Sequence, residues 1–230
     1  MNYLHFIPHV NRIDLTSIAL NSVKNIWDRT VIIDNSSNSD EVISLSDKYN
    51  FQFNVLKPPV PLTTAQTYNL IRLIAIEKQL NFITFMHNDC EVLTENGDLM
   101  LVEEANEQFS NVFNRIGFIN YNNVSSEEQR TNDDLFCAYK TDMLKDVGEW
   151  DWLCCPFYFL DNDYMRRMTI KQWRSYSMEN LQCKHHNSCS TVKSDKLRKL
   201  IFPAYFNVSK ELMNIKWIDC DGNWDNLKDD

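Results

Sequence analysis

Four glycines in 230 residues leave this chain few places for a loop that wraps a phosphate by bare backbone. The segment after the first expected strand, residues 8–14, holds one Arg and no Gly. That argues against the Gly-rich, basic loop that cradles a triphosphate. No Pro/Gly/Ser-rich stretch and no internal repeat divides the chain, so one domain is expected over residues 1–230, with halves 1–92 and 93–230. No apolar run approaches the roughly 20 residues needed to cross a bilayer, so no transmembrane segment is expected. The opening Met1-Asn2-Tyr3-Leu4-His5-Phe6 lacks the basic flank and apolar core of a signal peptide, which makes a cytoplasmic location the default expectation. Positive charge is also scarce. The formal net charge is −9, and only residues 193–199 gather Lys and Arg, so binding to the nucleic-acid backbone is not expected. Seven cysteines, an odd number at irregular spacing, suggest reduced thiols rather than a disulfide framework.

Apolar side chains are plentiful: hydrophobic residues make up 43% of the chain and aromatic ones 12%, enough for a sizeable core. Tyr3 to Pro8 is an apolar run closing at a proline, which reads as a strand entering a loop. Asp14 can cap a helix reaching about Trp27, with Leu15, Ile18, Ala19, Ser22, Val23 and Ile26 on one face. The β-branched run Thr30-Val31-Ile32-Ile33 stops at Asp34-Asn35-Ser36-Ser37, a buried strand followed by a polar turn. A helix over 40–49, a strand over 51–56 and a helix over 64–79 follow, and then the strand Phe82-Ile83-Thr84-Phe85-Met86. This alternation predicts a parallel sheet with right-handed crossovers, and ligands on such sheets bind beyond the carboxyl ends of the strands. Three polar ends, at Pro8 to Asn11, Asp34 to Ser36 and His87 to Asp89, should converge. The second half reads less regularly: strands at 117–121 and 135–139 flank a polar loop over 122–134, a short helix covers 140–147, another begins near Tyr164, and 195–217 is helical.

Three local patterns carry chemistry. Asp89 stands at a strand end, where a carboxylate can hold a divalent cation against a diphosphate. The plainer reading is that it caps the following turn. Asp161-Asn162-Asp163 follows the aromatic run Phe157-Tyr158-Phe159, and a carboxylate beside an apolar wall suits a general base. An acidic first helical turn suits both aspartates equally well. The segment Cys183-Lys184-His185-His186-Asn187-Ser188-Cys189 holds two Cys and two His, in a spacing unlike common structural zinc sites. One histidine from it joining a catalytic metal is the favoured alternative.

In this order the pieces resemble the family-2-type glycosyltransferases of the GT-A fold. Phe6-Ile7-Pro8-His9-Val10-Asn11 is similar to that family's opening strand and proline turn, and Ala19 to Val23 to a helix carrying a serine, Ser22. Val31 to Ser37 resembles its acidic turn after the second strand, and Asn69 falls where its next helix carries an Asn. Phe85 to Val92 resembles the DXD region, with His87 at the first acidic position and Asp89 at the last. Phe157 to Asp163, followed by Arg166, looks like the stretch bearing the base, with Leu160 replacing a Glu and Asp161 in the base's place. His186 to Ser190 is similar to a segment near the donor phosphates, and Tyr205 to Lys210 with Lys216-Trp217-Ile218 to a C-terminal pattern.

The resemblance implies a GT-A-type, Rossmann-like αβα sandwich with a mostly parallel central sheet. It implies an inverting hexosyl- or deoxyhexosyltransferase that uses Mn²⁺ or Mg²⁺ and moves a sugar from a nucleotide-sugar donor to a glycan or other hydroxyl acceptor. Asp161 would be the catalytic base, and Asp89 with His186 the metal ligands. Substrate contacts would come from Pro8, Asn11, Asp34, Asn35, Ser36, Asn69, Asn88 and Asp163, with Trp150 or Trp152 stacking on a sugar. Two rivals stand beside it: a sugar-nucleotidyltransferase, and a catalytically inactive GT-A-like binding module favoured by His87 and Leu160 in place of carboxylates.

Overall fold

The computed structural model describes residues 1–36, 40–50, 52–111, 113–121, 134–186 and 196–217. Its strands are β1 (Tyr3–His9), β2 (Thr30–Asp34), β3 (Asn54–Leu56), β4 (Phe82–Met86), β5 (Cys90–Val92), β6 (Ile116–Tyr121), β7 (Phe136–Lys140), β8 (Arg174–Met178) and β9 (Cys183–His185). The helices are α1 (Ile13–Ser22), α2 (Asp40–Lys48), α3 (Thr64–Glu77), α4 (Gly97–Ser110), α5 (Thr141–Val147), α6 (Leu160–Ile170) and α7 (Lys196–Lys216), with a 3₁₀ segment at Lys24–Arg29. The expected loop over 122–134 lies, up to residue 133, outside the described residues, as do 187–189 of the Cys/His segment and 218–230.

Seven strands form one sheet in the order β3-β2-β1-β4-β7-β6-β8. The pairs β3·β2, β2·β1, β1·β4 and β6·β8 are parallel, and only β7 runs against its neighbours. The expected mostly parallel α/β sheet is therefore what the chain builds. Its central strands β4, β6 and β7 are buried at every position, as continuous apolar runs covered on both faces must be. One face packs Ile7, Ile32, Phe82, Met86 and Ile119 under α1, α2 and α4. The other packs Phe6, Ile33, Phe85, Phe118 and Tyr139 under α3, α5 and α6. Trp150 lies in this second core, stacked on Tyr164 with ring centroids 3.8 Å apart.

Several boundaries differ from the sequence reading. The first helix begins at Ile13 after Arg12 and stops at Ser22, so Asp14 sits in its first turn and does not cap it. Ser22 Oγ donates to Ala19 O and accepts from Val92 N, which ties the end of α1 to β5. The third strand is only Asn54–Leu56. The helix expected near Tyr164 begins four residues earlier, at Leu160. Scarce glycine has a visible consequence: Asn11, Asn50 and Asn96 take left-handed turn positions at φ 50 to 55°, which Asn tolerates better than most residues. Among the described residues one glycine, Gly148 (φ 91°), is left-handed, and it closes α5 by donating its N–H to Leu144 O.

His5 is the least usual core residue. It is fully buried on β1, shares a hydrogen bond with Thr84 Oγ1 at 3.0 Å and meets Phe136 edge-on. Burial pushes its pKa down to about 3, so it folds neutral. Because the unfolded chain takes up that proton near pH 6.5, the stability is present above that pH and is lost as pH falls toward 3. Replacing His5 by Leu should flatten the dependence of urea midpoint on pH between 7 and 4. The wild type should lose on the order of 3 kcal/mol more over that range. An unchanged slope in the variant would refute this.

Candidate active site

Parallel β1 to β4 bring their carboxyl ends to one sheet edge, so the three polar segments do converge there. β7, running the other way, starts at the same edge, where His87 N donates to Leu135 O at 2.8 Å. Side chains alternate across the sheet, and the polar residues sort into two groups.

The first group follows the α1 face. Lys57, just after β3, donates through Nζ to Asp34 Oδ2 at 3.1 Å and to Ser36 O at 2.7 Å. Asp34 also accepts from the Ser36 backbone N–H and the Ser36 hydroxyl. It is 1% exposed, so the expected open turn residue is a buried carboxylate with a lysine partner. His9, in register beside Asp34, shares a 2.7 Å hydrogen bond with Thr16 Oγ1, which also accepts from Asn88 Nδ2 at 3.4 Å. Burial brings the His9 pKa down to about 4, with Asp34 pulling the other way and the Lys57 charge adding to the fall. Pro8 ends the apolar part of β1, and Asn11 turns the chain into α1.

The second group lies on the α3 face. Tyr68 OH donates to Asp134 Oδ2 at 2.5 Å, and His87 Nε2 lies 3.2 Å from Asp134 Oδ1. Burial alone would raise the Asp134 carboxyl, but His87 and Tyr68 hold it below the ordinary range. Asp161, in the first turn of α6, feels this buried anion. Burial first, and then Asp134, push its pKa up to about 6, while backbone N–H groups of the turn and His87 pull the other way. A partly accessible carboxylate with a pKa just below neutrality is ionised at pH 7 yet close to the optimum for accepting a proton.

Asp89 follows two residues after His87 and is 6% exposed. Strand β9 pairs antiparallel with β5 in the register Cys90 to His185. This places His185 Nε2 3.3 Å from Asp89 Oδ2, whereas His186 Nε2 lies 2.9 Å from Glu91 Oε2. The histidine beside Asp89 is therefore His185 and not the expected His186, whose side chain is turned to Glu91. Burial opposes the ionised form of Asp89, but the His185 hydrogen bond and the charge of His87 hold its pKa below the usual value. Among the described residues no three His, Cys, Asp or Glu side chains gather closely enough to hold a metal unaided. The Asp89–His185 pair nonetheless fits a cation completed by its ligand. Two donors on adjacent positions of an octahedral ion with bonds near 2.1 Å stand about 3 Å apart, and Mg²⁺-type sites commonly use one or two protein ligands plus substrate phosphates.

Other expected substrate contacts have structural partners. Asn35 exchanges two hydrogen bonds with the Leu62 backbone, at 2.6 and 2.7 Å, and so pins the segment after β3. Asn69 does the same with the Trp150 backbone at 2.9 and 2.8 Å. Asp163 is fully buried and accepts from Arg167, Lys216 and Trp217, which leaves no face for a substrate. Trp152 is 45% exposed, on the loop leading to α6. Of the two neighbouring histidines the sequence reading named His186 rather than His185, and it missed Tyr68, Asp134 and Lys57. Of these, only Lys57 carried a local signal, as a cation directly after a strand.

By sequence the chain matches no family model, and no curated protein matches it. In three dimensions it resembles a mannosyltransferase from Pyrobaculum calidifontis in complex with GDP-Man and Mn²⁺ (TM-score 0.58, 11% identity, 79% of this chain and 56% of that one). It also resembles TarS of S. aureus in complex with UDP (TM-score 0.59, 13% identity, 99% of this chain and 76% of that one). A cytidylyltransferase from Leptospira borgpetersenii serovar Hardjo-bovis matches as well (TM-score 0.52, 13% identity, 99% of this chain and 98% of that one). The chain thus spans little more than half the length of the mannosyltransferase. The shared architecture is the GT-A-type αβα sandwich.

Proposed function

We propose that the chain is a glycosyltransferase that moves a sugar from a nucleoside-diphosphate donor to a hydroxyl acceptor with inversion. The observation that carries this reading is Asp161. Its carboxylate is raised to about 6 beside the buried Asp134, at the same sheet edge as the Asp89–His185 pair. The acceptor oxygen gives its proton to Asp161 as it bonds to the anomeric carbon. The bond from that carbon to the phosphate oxygen breaks on the opposite side, and the nucleoside diphosphate leaves with the electron pair. A divalent cation held by Asp89, His185 and the diphosphate oxygens would offset the charge growing on the leaving group. The row from Lys57 through Asp34 to His9 lies along the ends of β3, β2 and β1, where the nucleoside is read in this proposal.

The cytidylyltransferase likeness favours a second reading, in which a nucleoside triphosphate and a sugar phosphate combine. Local geometry counts against it. The turn between β1 and α1 has no glycine, and its one cation, Arg12, is tied at 2.9 and 2.7 Å to Asp14. The products separate the two: transfer releases nucleoside diphosphate, nucleotidyl transfer releases pyrophosphate. Incubation with Mn²⁺ and a panel of UDP-, GDP- and dTDP-sugars should yield nucleoside diphosphate. Pyrophosphate from triphosphates with sugar phosphates, and no diphosphate from the panel, would reverse the assignment.

A further inference from the structure

Asp161 is not held in place by its own helix alone. Phe159, two residues before it, has φ 63° and ψ 8°, a left-handed conformation that bulky L-residues rarely adopt. Such a conformation persists only where the surroundings enforce it. Here α7 supplies much of the surroundings. The Phe206 ring lies 5.0 Å from Phe159 and 5.6 Å from Tyr158, and Tyr205 lies 5.0 Å from Phe157.

The far end of α7 grips the other side of the same segment. Lys216 Nζ donates to Asp163 Oδ1 at 2.8 Å and to Asp151 Oδ2 at 2.7 Å, and Trp217 Nε1 donates to Asp163 Oδ1 at 3.2 Å. Asp151 in turn accepts the backbone N–H groups of Leu153 and Cys154. One ammonium therefore couples the loop before α6 to the first turn of α6. Burial opposes the ionised form of Asp151, but the Lys216 hydrogen bond and the Cys154 N–H bring its pKa down to about 2, so the link is ionic over the whole working range.

We infer that α7 is a brace that positions the base. Phe206 and Lys216 clamp the two sides of residues 157–163 and fix where the Asp161 carboxylate stands, so both are positioning residues. This rests on the reading of Asp161 as the base. Phe206 packs on Tyr158 and Phe159, and Lys216 binds Asp151 and Asp163, so loosening the brace should slow transfer while leaving the donor bound.

The test uses full-length Lys216→Met, Lys216→Arg, Phe206→Ala and Asp161→Asn with the nucleotide-sugar of the panel that is turned over. It measures kcat, donor KM and the thermal shift with UDP or GDP plus Mn²⁺. Lys216→Met and Phe206→Ala should lower kcat by roughly tenfold to a hundredfold, the scale of an ångström-sized misplacement of a catalytic group. Donor KM and the thermal shift should stay at wild-type values. Lys216→Arg keeps the charge and two donors and should recover most of the loss. Wild-type kcat in Lys216→Met beside a lost rate in Asp161→Asn overturns the brace alone. Parallel losses of kcat, donor affinity and thermal shift reduce α7 to an ordinary stabiliser of the fold and also overturn it. A wild-type rate in Asp161→Asn removes the base and the brace together.

Discussion

Asp161→Asn should slow sugar transfer at least roughly a hundredfold, and the same change should make the protein more stable at pH 7. The rate falls because Asn keeps the shape of Asp but cannot accept the acceptor's proton, while donor and cation contacts lie elsewhere. Stability rises for a separate reason. The folded carboxyl titrates at about 6, burial being the main cause and Asp134 the second. A group whose pKa is raised by folding contributes stability below its unfolded value, and that contribution disappears as pH rises through the folded value. At pH 7 the wild type therefore carries an ionised group that the fold disfavours, and the variant does not. The gain could reach roughly 3 kcal/mol, and most of it should be gone by pH 4, where the folded carboxyl is protonated. Urea unfolding at the two pH values measures this, and kcat/KM of the wild type should decline below about pH 6 as the base protonates. A variant that is slower but less stable at pH 7 would mean that Asp161 is a structural cap. The opposite signs of the two effects mark a site residue kept at a cost to the fold.

The first half of the chain was readable because its information is local. Thr30 to Ile33 and Phe82 to Met86 are β-branched or apolar runs with polar ends, and parallel strands separated by helices have few ways to pair. Where partners are distant in sequence, reading failed. Asn35 and Asn69 look like polar residues free for a ligand, but their amides close on backbone 27 and 81 residues away. Asp163 was rightly placed in an acidic first turn, yet its deciding partner Trp217 lies 54 residues on. The choice between His185 and His186 depends on the register of β9 against β5, two three-residue strands too short to leave a periodic signal. The start of α6 was missed because a phenylalanine, rather than a glycine or asparagine, takes the left-handed position before it. Helix α4 shows the converse. Leu101, Ala105 and Phe109 repeat at four-residue spacing on its buried face, a legible pattern that the sequence reading passed over.

If Asp89 and His185 hold a cation as proposed, donor binding should depend on metal in a way that individual substitutions can trace. A diphosphate meets a chain with formal net charge −9, and Asp89 itself is held ionised by His185 and His87 against its burial. A nucleoside diphosphate without a cation therefore faces repulsion at the place where it should sit, and a divalent ion between carboxylate and phosphates reverses the sign. With Mn²⁺ or Mg²⁺ present, UDP or GDP at about a hundredfold over Kd should stabilise the protein by roughly 2.7 kcal/mol, seen as a higher Tm. Without the metal the shift should be absent. Asp89→Ala should abolish the metal-dependent shift, and His185→Ala should reduce it. His186→Ala should leave it in place, because that imidazole is turned to Glu91 at 2.9 Å. Each variant's Tm without ligand supplies the control for damage to the fold. Equal stabilisation with and without metal would remove Asp89 from the role of ligand. A shift lost in His186→Ala but kept in His185→Ala would mean that His186, just after β9, and not His185 turns to the cation when the donor binds.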